Sequence, residues 1–460
     1  MILYLKQWLL FYKRRVNNNF ICEGEIFMHD IAKNLNNVIK NENPFIYDML
    51  SDLGKNLYNQ KGILSQSAEA SKRAYRFNAT IGIATEEHEP MHFQHIQDHF
   101  IGYAPEDIYP YAPPAGKQVL RELWNEKLLL DNSSLHHQNF GLPIVTNALT
   151  HGLSIAADLF ANPEDSVIVP DKHWGNYQSI FHVRRGAHLL TYKLFNKDRK
   201  FNIPSFREAL FNQKSKGKAI VLLNFPNNPT GYTPGAKESE EIVAVLNEAA
   251  EAGISIIAIL DDAYFGLFYE NSIKESLFGQ LAGLHQKILP IKVDGATKEN
   301  YVWGLRVGFI TYASPSSVIL DALEQKTVGL IRGTISSSSH LSQTVILQSL
   351  QSHEFEKEKQ QKFQLMERRA KKVKEVLNQK KYNDYWSYYP FNSGYFMCLQ
   401  LENINAETLR MHLLNQYGVG TVAINPTDLR VAFSCVEEQE IEELFNLIYK
   451  GAEDLVHSNH

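Results

Sequence analysis

Cysteine is scarce in this chain. Of 460 residues only Cys22, Cys398 and Cys435 carry a thiol, with no CxxC and no short paired spacing. That excludes a disulfide framework and fits a reducing compartment, so a cytoplasmic location is expected. Excess positive charge is also missing. The formal net charge is −5, which leaves no broad basic surplus to neutralise phosphates, and no nucleic-acid partner is expected. No apolar run approaches the roughly 20 residues that cross a bilayer, so no membrane partner is expected either. The strings GxxxxGK[ST], GxSxG and GxGxxG do not occur, which removes the motif-based case for a P-loop, a nucleophile elbow or a dinucleotide fingerprint. Internal repeats and long low-complexity tracts are absent as well.

What is present is an alternation of helix-like and strand-like segments. Residues 28–75 are polar and loosely helical, with an apolar stripe in YDMLSDLG that ends at Gly54. From about residue 116 the pattern becomes regular. Amphipathic helices are expected from Gly116 and from Thr150, the second preceded by the strand-like run from Pro143. Short β-branched runs start at Ser166, Ala219, Ser255 and Ile288, and such runs suit strands buried on both faces. Between two of them, the segment from Pro234 to Gly253 has a proline in its first turn, acidic residues near its start and glycine after its end, which is a helix signature. The alternation predicts an α/β fold with a mostly parallel sheet sandwiched by helices. Sites in such sheets lie beyond the carboxyl ends of the strands, where Asn228, Asp261 and Lys298 fall. A charged segment over 354–379 reads as a solvated helix face. A second α/β stretch follows, with strands expected from Asn392 and Leu429, and reads as a smaller lobe.

Five motifs occur in order along this framework. They are WGNY at Trp174, NNPTG at Asn227, DDAY at Asp261, Lys298 followed eight residues later by Arg306, and LRVAF at Leu429. Together they resemble the fold-type I pyridoxal-phosphate enzymes, and within them the class I/II, aspartate aminotransferase-like group. The resemblance implies a large cofactor domain over residues 92–362 and a smaller α/β domain made from both chain ends, 28–91 and 363–460. It implies pyridoxal 5'-phosphate as cofactor and no metal. It also assigns roles. Lys298 forms an imine with the cofactor; a lysine amine needs its pKa lowered for that work, which burial and nearby cations supply. Asp261 partners the ring nitrogen; Asp262 competes for this role, and the D-x-A-Y spacing favours Asp261. Tyr264 and Asn228 bond the ring phenolate oxygen, and Trp174 stacks on the ring. Arg306, Thr297 and the turn Ala148, Leu149 and Thr150 take the phosphate, as a helix start suits an anion. Tyr111 reaches the phosphate of a neighbouring subunit, so a homodimer with shared sites is expected.

On the substrate side the resemblance assigns the α-carboxylate to Arg430, whose planar fork suits bidentate binding. It assigns a covering loop to Gly82, and contacts to Asn228 and Trp174. Arg332 is assigned to a substrate side-chain carboxylate across the dimer. Several positions depart from the family pattern. Gly295 stands where a hydroxyl is usual, Leu149 where a small residue is usual, and Tyr177 where a histidine is common behind the aspartate. Ile335 and Ser337 replace a tyrosine and an asparagine near Arg332. The expected reaction is transfer of an amino group between an L-amino acid, dicarboxylic or aromatic, and a 2-oxo acid such as 2-oxoglutarate. Lys298 would carry the proton between the substrate Cα and the cofactor. A lyase or synthase of the same fold is the alternative. A remoter rival is a zinc hydrolase, since HEPMH at His88 is a literal HExxH string. Pro90 opposes it, because proline inside the required helix costs ~3 kcal/mol.

The opening residues, from Met1 to Arg15, place a short apolar stretch before a basic cluster. A signal peptide has the reverse order; an amphipathic membrane anchor is the alternative. The codons of EGE at Glu23 can read GAAGGAGAA, a purine-rich tract just upstream of the Met28 codon. Residues 1–27 are therefore expected to be a translated ribosome-binding region, with Met28 as the natural start. Sequencing the natively expressed protein from its N-terminus should begin at Met28, and a peptide from upstream would overturn this.

Overall fold

The computed structural model describes residues 30–56, 63–100 and 102–457; the extension over 1–27 and the start at Met28 lie outside them. The chain falls into two compact units, one on either side of residue 60. The first holds the helices Asp30–Glu42, Pro44–Met49 and Asp52–Asn56. The apolar stripe expected to end at Gly54 is thus broken in two, with Gly54 inside the last helix. The carbonyl of Ser51 accepts from Lys55 N at 2.9 Å and starts a new helix there, with Asp52 in its first turn, where negative charge is favoured.

The second unit opens with the helix Ile63–Arg73 and three two-residue strands, β1 (Phe77–Asn78), β2 (Thr85–Glu86) and β3 (Glu89–Pro90). Its large sheet is made of β4 (Ile144–Asn147), β5 (Ser166–Pro170), β6 (His188–Tyr192), β7 (Lys218–Leu223), β8 (Ser255–Asp261), β9 (Ile288–Asp294) and β10 (Val307–Tyr312). The spatial order is β4-β10-β9-β8-β7-β5-β6. Every neighbouring pair is parallel except those of β10, which runs antiparallel to both β4 and β9. A parallel return needs a crossover of a dozen residues or more, usually a helix. Between β9 and β10 lie only the short turns Ala296–Glu299 and Trp303–Leu305, so the chain comes straight back.

All residues of β5 and β10 are buried, as are all of β7 and β8 except the first. Helices on both faces of the sheet require this, and it explains the β-branched runs. Helices Gln118–Asp131, Ala148–Phe160 and Ala236–Glu251 realise the amphipathic segments read from sequence. Trp124 stacks on Phe309 at 4.2 Å and donates to Asp294 Oδ2 at 3.2 Å. Lys292 on β9 is fully buried. It pairs with Asp262 and lies 3.5 Å from Asp294, so its charge is compensated by carboxylates.

The smaller sheet has the order β11-β12-β15-β14, from β11 (Trp386–Tyr388), β12 (Phe396–Leu401), β14 (Val422–Ala423) and β15 (Asp428–Ala432). Nearby, β13 (Val419–Gly420) pairs with β1, Phe77 opposite Val419, so a segment before the large sheet joins one after it. The strand expected from Asn392 begins only at Phe396. Gly394 has φ of +72°, and the N–H groups of Asn392 and Ser393 both donate to the carbonyl of Gly231 rather than to a strand. The charged segment is the helix Phe355–Leu377, continuous through residues 362 and 363. Its basic residues pair locally, Arg368 with Glu438 at 3.1 Å and Lys372 with Glu375 at 2.8 Å. HEPMH does not lie on a helix: His88 sits in the β2–β3 turn with φ of +66°, and the following helix spans Gln94–His99. Among the described residues no helix is long and apolar enough to cross a membrane.

Gly231 ties the two sheets together. Its φ is +77°, and an added Cβ would lie 2.1 Å from the Phe396 carbonyl oxygen and 2.9 Å from that of Ser393. Both neighbours are backbone and cannot swing aside. Gly231→Ala is expected to lose roughly 3 kcal/mol or more of stability, combining left-handed strain and overpacking. Urea unfolding measures this; a loss below about 1 kcal/mol would show that the two backbones yield.

Candidate active site

The carboxyl ends of the parallel strands meet in a cavity of about 290 Å³. Gly82, Leu149, Thr150, Trp174, Asn228, Asp261, Tyr264, Lys298, Arg306 and Arg430 all line it. Ala148 and Thr297 are buried beside it, next in sequence to Leu149 and Lys298. Tyr111 and Arg332 are elsewhere. Tyr111 is 93% exposed, and Arg332 is exposed on the helix Ser317–Thr334, donating to Ser336 Oγ at 2.8 Å. Neither reaches the cavity of its own chain.

Asp261 is the last residue of β8 and is buried. Tyr177 donates to its Oδ2 at 2.5 Å, whereas Oδ1 is buried without a partner among the described residues. Burial raises the carboxyl pKa to about 6, against the Tyr177 bond and the Lys298 charge, which lower it. Burial also pushes the Tyr177 phenol well up, so it stays a neutral donor. Asp262, the competing residue, faces away: it takes Lys292 and, at 2.6 Å, Ser276 Oγ. Lys298 lies four residues past β9, partly open to the cavity. Its Nζ is 5.2 Å from the Tyr264 ring centroid. Burial lowers its pKa to about 8, with Asp261 opposing and Arg306 assisting.

The turn from β4 into the helix Ala148–Phe160 is strained and leaves its first-turn N–H groups uncapped. Ala148 has φ of +62°, a left-handed conformation unusual for a residue with a side chain. Asn147 gives the helix no side-chain cap, which leaves first-turn N–H groups for an anion. The backbone of this turn packs on β10 only because residue 308 is glycine. A Cβ there would lie 2.7 Å from Ala148 C and 3.0 Å from Leu149 N. The departure at Gly295 has the same origin: a Cβ would lie 2.6 Å from Gly308 Cα, 2.7 Å from the Val307 oxygen and 3.3 Å from Leu149 Cδ1. No hydroxyl fits at 295. The nearby hydroxyl of Thr297 is buried without a partner.

Arg430 on β15 is fully buried and meets no carboxylate in its hydrogen bonds. It donates to Asn228 Oδ1 at 3.0 Å and to the Thr80 carbonyl at 2.7 Å, and lies 4.1 Å from the Phe396 ring centroid. Burial lowers its pKa to about 10. Because Arg430 occupies Asn228 Oδ1, the Nδ2 end of that amide is left for another acceptor. The segment around Gly82 is fixed from β15 and the turn after it: Ala432 N donates to Ala79 O at 2.9 Å, and Ser434 Oγ to Ile83 O at 2.5 Å.

Residues not singled out from the sequence also line the cavity, among them Ile81, Ile83, Asn224, Trp303 and Phe396. Asn224 donates to the Asp261 carbonyl at 2.7 Å and accepts from Asn228 N at 2.8 Å. Its signal was a polar residue ending an apolar strand. The donor set fits pyridoxal 5'-phosphate. An unpartnered carboxylate oxygen, an uncapped helix start with Arg306 beside it, a lysine and an aromatic wall occupy one cavity.

A family model described as "Aminotransferase class I and II" matches residues 94–448. Aspartate aminotransferase of Bacillus sp. (strain YM-2) is 25% identical over 260 residues, 56% of this chain and 62% of that protein. Aspartate aminotransferase of Sulfurisphaera tokodaii is 23% identical over 345 residues, 72% of this chain and 80% of that protein. In fold, the crystal structure of an aminotransferase from Anaerococcus prevotii superposes with a TM-score of 0.79 at 21% identity, covering 88% of this chain and 99% of that one. Kynurenine aminotransferase of Pyrococcus horikoshii gives 0.74 at 16% identity, covering 89% and 98%.

Amine acylation of Lys298 in the cofactor-free protein is expected to rise with pH through a midpoint near 8; a midpoint at the usual 10.5 would contradict its burial. The same shift acts on stability. Between about 8 and 10.5 the unfolded chain binds more protons at this lysine than the folded chain, so its contribution to stability rises with pH across that window. For Asp261 the folded state binds more between 3.8 and about 6, so its contribution falls as pH rises there. Urea titrations of Lys298→Met should lack the alkaline rise.

Proposed function

Because the chain belongs to the class I and II aminotransferase family, whose members use pyridoxal 5'-phosphate, we propose that it transfers an amino group between an L-amino acid and a 2-oxo acid. The observation that carries this is the cavity that gathers Lys298, the free Oδ1 of Asp261, the Ala148 turn with Arg306, and a second buried arginine. When bound, the cofactor supplies an electron sink for the pair left as a bond to the substrate Cα breaks.

The chain's own residues do the rest. The N–H groups of Ala148, Leu149 and Thr150 would hold the phosphate, with Arg306 and the Thr297 hydroxyl. Trp174 would pack against the ring. Asp261 would keep a proton on the ring nitrogen through Oδ1, while Tyr177 fixes its other oxygen. Asn228 Nδ2 and the Tyr264 hydroxyl would donate to the ring oxygen. Lys298 takes the proton from the substrate Cα and returns it; a pKa of about 8 suits both directions near neutral pH. Arg430 binds the α-carboxylate in a charge-assisted pair, beside its neutral bonds to Asn228 and Thr80. Ile81, Gly82, Ile83 and Phe396 narrow the opening and exclude water.

Tyr111 and Arg332 lie outside their own cavity, so we assign them to the site of a second copy. The functional protein is then a homodimer, and Arg332 selects a dicarboxylate as one substrate. The printed name of a relative, aspartate aminotransferase, supports a dicarboxylic donor; an aromatic donor, and 2-oxoglutarate as acceptor, are assigned from the Arg332 reading alone. Its expected setting is the cytoplasm.

The purified protein mixed with pyridoxal 5'-phosphate is expected to gain a visible absorption band that Lys298→Ala abolishes. Aspartate, glutamate, tyrosine or alanine, added in turn, should bleach it for the true donor, with release of the 2-oxo acid. A band insensitive to all donors would favour a lyase or synthase of this fold. No band in folded protein would overturn the reading.

A further inference from the structure

Three segments converge on the cavity, and each carries one of its residues: the stretch after β5 with Trp174, the turn after β7 with Asn228, and β15 with Arg430. One lysine joins them. Lys172, two residues before Trp174, reaches across to β15, where its Nζ lies 2.8 Å from Asp428 Oδ2. Its backbone carbonyl accepts from Asn227 Nδ2 at 3.1 Å. Asn228, the next residue, accepts from Arg430 at 3.0 Å. Asp428 and Arg430 are two residues apart on the same strand, so the circuit closes.

Asp428 is fully buried, and Lys172 is the cation it meets. Its other partners are neutral: the Tyr389 hydroxyl at 3.0 Å, Asn425 Nδ2 at 2.6 Å and Thr427 Oγ1 at 3.2 Å. Lys172 also lies 5.1 Å from the Tyr389 ring centroid and 3.4 Å from Asp171 Oδ2. Neither Lys172 nor Asp428 lines the cavity. A charge pair held out of water is costly when half of it is lost and directional when intact.

We propose that Lys172 is a positioning residue: its ion pair with Asp428 holds β15 against the Trp174 and Asn228 segments and so fixes Arg430 for a substrate carboxylate. This rests on the reading of Arg430 as the carboxylate clamp. The pair acts on substrate binding and leaves the cofactor contacts of Lys298, Asp261 and the Ala148 turn in place.

The test uses cofactor-loaded protein and two unreactive carboxylates, succinate and 3-phenylpropanoate, with binding followed by calorimetry. Lys172→Met and Asp428→Asn are each expected to raise the Kd of the carboxylate that binds, and the KM of the donor, on the order of tenfold. Turnover at saturation should stay within about twofold, and the Kd for pyridoxal 5'-phosphate, to which Trp174 and Asn228 also contribute, should rise severalfold less than the carboxylate Kd. The double variant Lys172→Met/Asp428→Asn should bind no more weakly than either single variant, because the two act through one contact. It also leaves no unpaired buried charge, so it keeps the test available if Lys172→Met fails to fold. Arg430→Gln is the control. If it weakens carboxylate binding while Asp428→Asn and the double variant do not, the positioning role is overturned and the clamp stands. If Arg430→Gln itself leaves binding unchanged, the clamp reading fails and the inference with it. Equal losses in cofactor affinity and carboxylate affinity would show a merely structural role and overturn the proposal.

Discussion

The site depends on charge held out of water. For Lys298, Asp261 and Arg430 burial is the largest influence on the proton equilibrium, and in each case it disfavours the charged form. Lys298 is thereby brought to about 8 and Asp261 to about 6. Neither could be reached on an exposed surface, where water would restore the ordinary values. The sheet makes this possible. Its strands are covered on both faces, so residues just past their ends stand in a low-dielectric rim, yet neighbouring backbone and amide groups remain within reach. Tyr177, Asn224 and Asn228 supply neutral hydrogen bonds there. The full charges of Lys292, Asp262 and Asp294 compensate one another and do not line the cavity.

A second constraint is the contact between the Ala148 turn and β10. β10 is the antiparallel strand of the sheet, and it comes back beside β4 directly from the lysine turn. The Ala148 turn and the lysine are therefore built on adjacent backbone, with Gly308 and Gly295 giving the approach. Two departures that look independent in sequence, Gly295 and Leu149, are parts of one packing solution. The Leu149 side chain fills the space beside a position that admits no side chain, while its N–H remains available to an anion. Thr297 has a buried hydroxyl with no hydrogen-bond partner among the described residues, which makes it the nearest hydroxyl in sequence to the position where Gly295 has none.

Much of this was legible in the sequence because it is written in local periodicity and in short motifs. The runs at Ser166, Ala219, Ser255 and Ile288 became strands within a residue or so of their expected bounds, and Asp261 closes its strand as the pattern required. What could not be read was non-local. The delay of a strand from Asn392 to Phe396 is caused by hydrogen bonds to Gly231, about 160 residues away. The break before Asp52 came from a local choice of hydrogen bond that the apolar stripe does not reveal. Asn224, Ile81, Ile83 and Trp303 enter the cavity by the geometry of chain return. Their own types signal only strand ends, turns and core. The HEPMH string shows the opposite failure, a motif with the right letters on the wrong backbone.

Arg430 is the most deeply buried cation lining the cavity. A fully buried guanidinium with no carboxylate partner is an unfinished interaction, since its strongest partners are planar anions. The bonds it makes instead, to an amide and to a backbone carbonyl, are neutral and exchangeable. Both also bear on how the cavity responds to a bound carboxylate. Asn228 Oδ1 and Thr80 O belong to different segments, one on the turn after β7 and the other two residues before Gly82. A carboxylate that draws Arg430 away from either releases that segment to move, whereas one that adds to both tightens the cavity. The ties from Ala432 to Ala79 and from Ser434 to Ile83 hold the Gly82 segment independently of Arg430, so a carboxylate at Arg430 would meet a framework that does not rest on Arg430 alone.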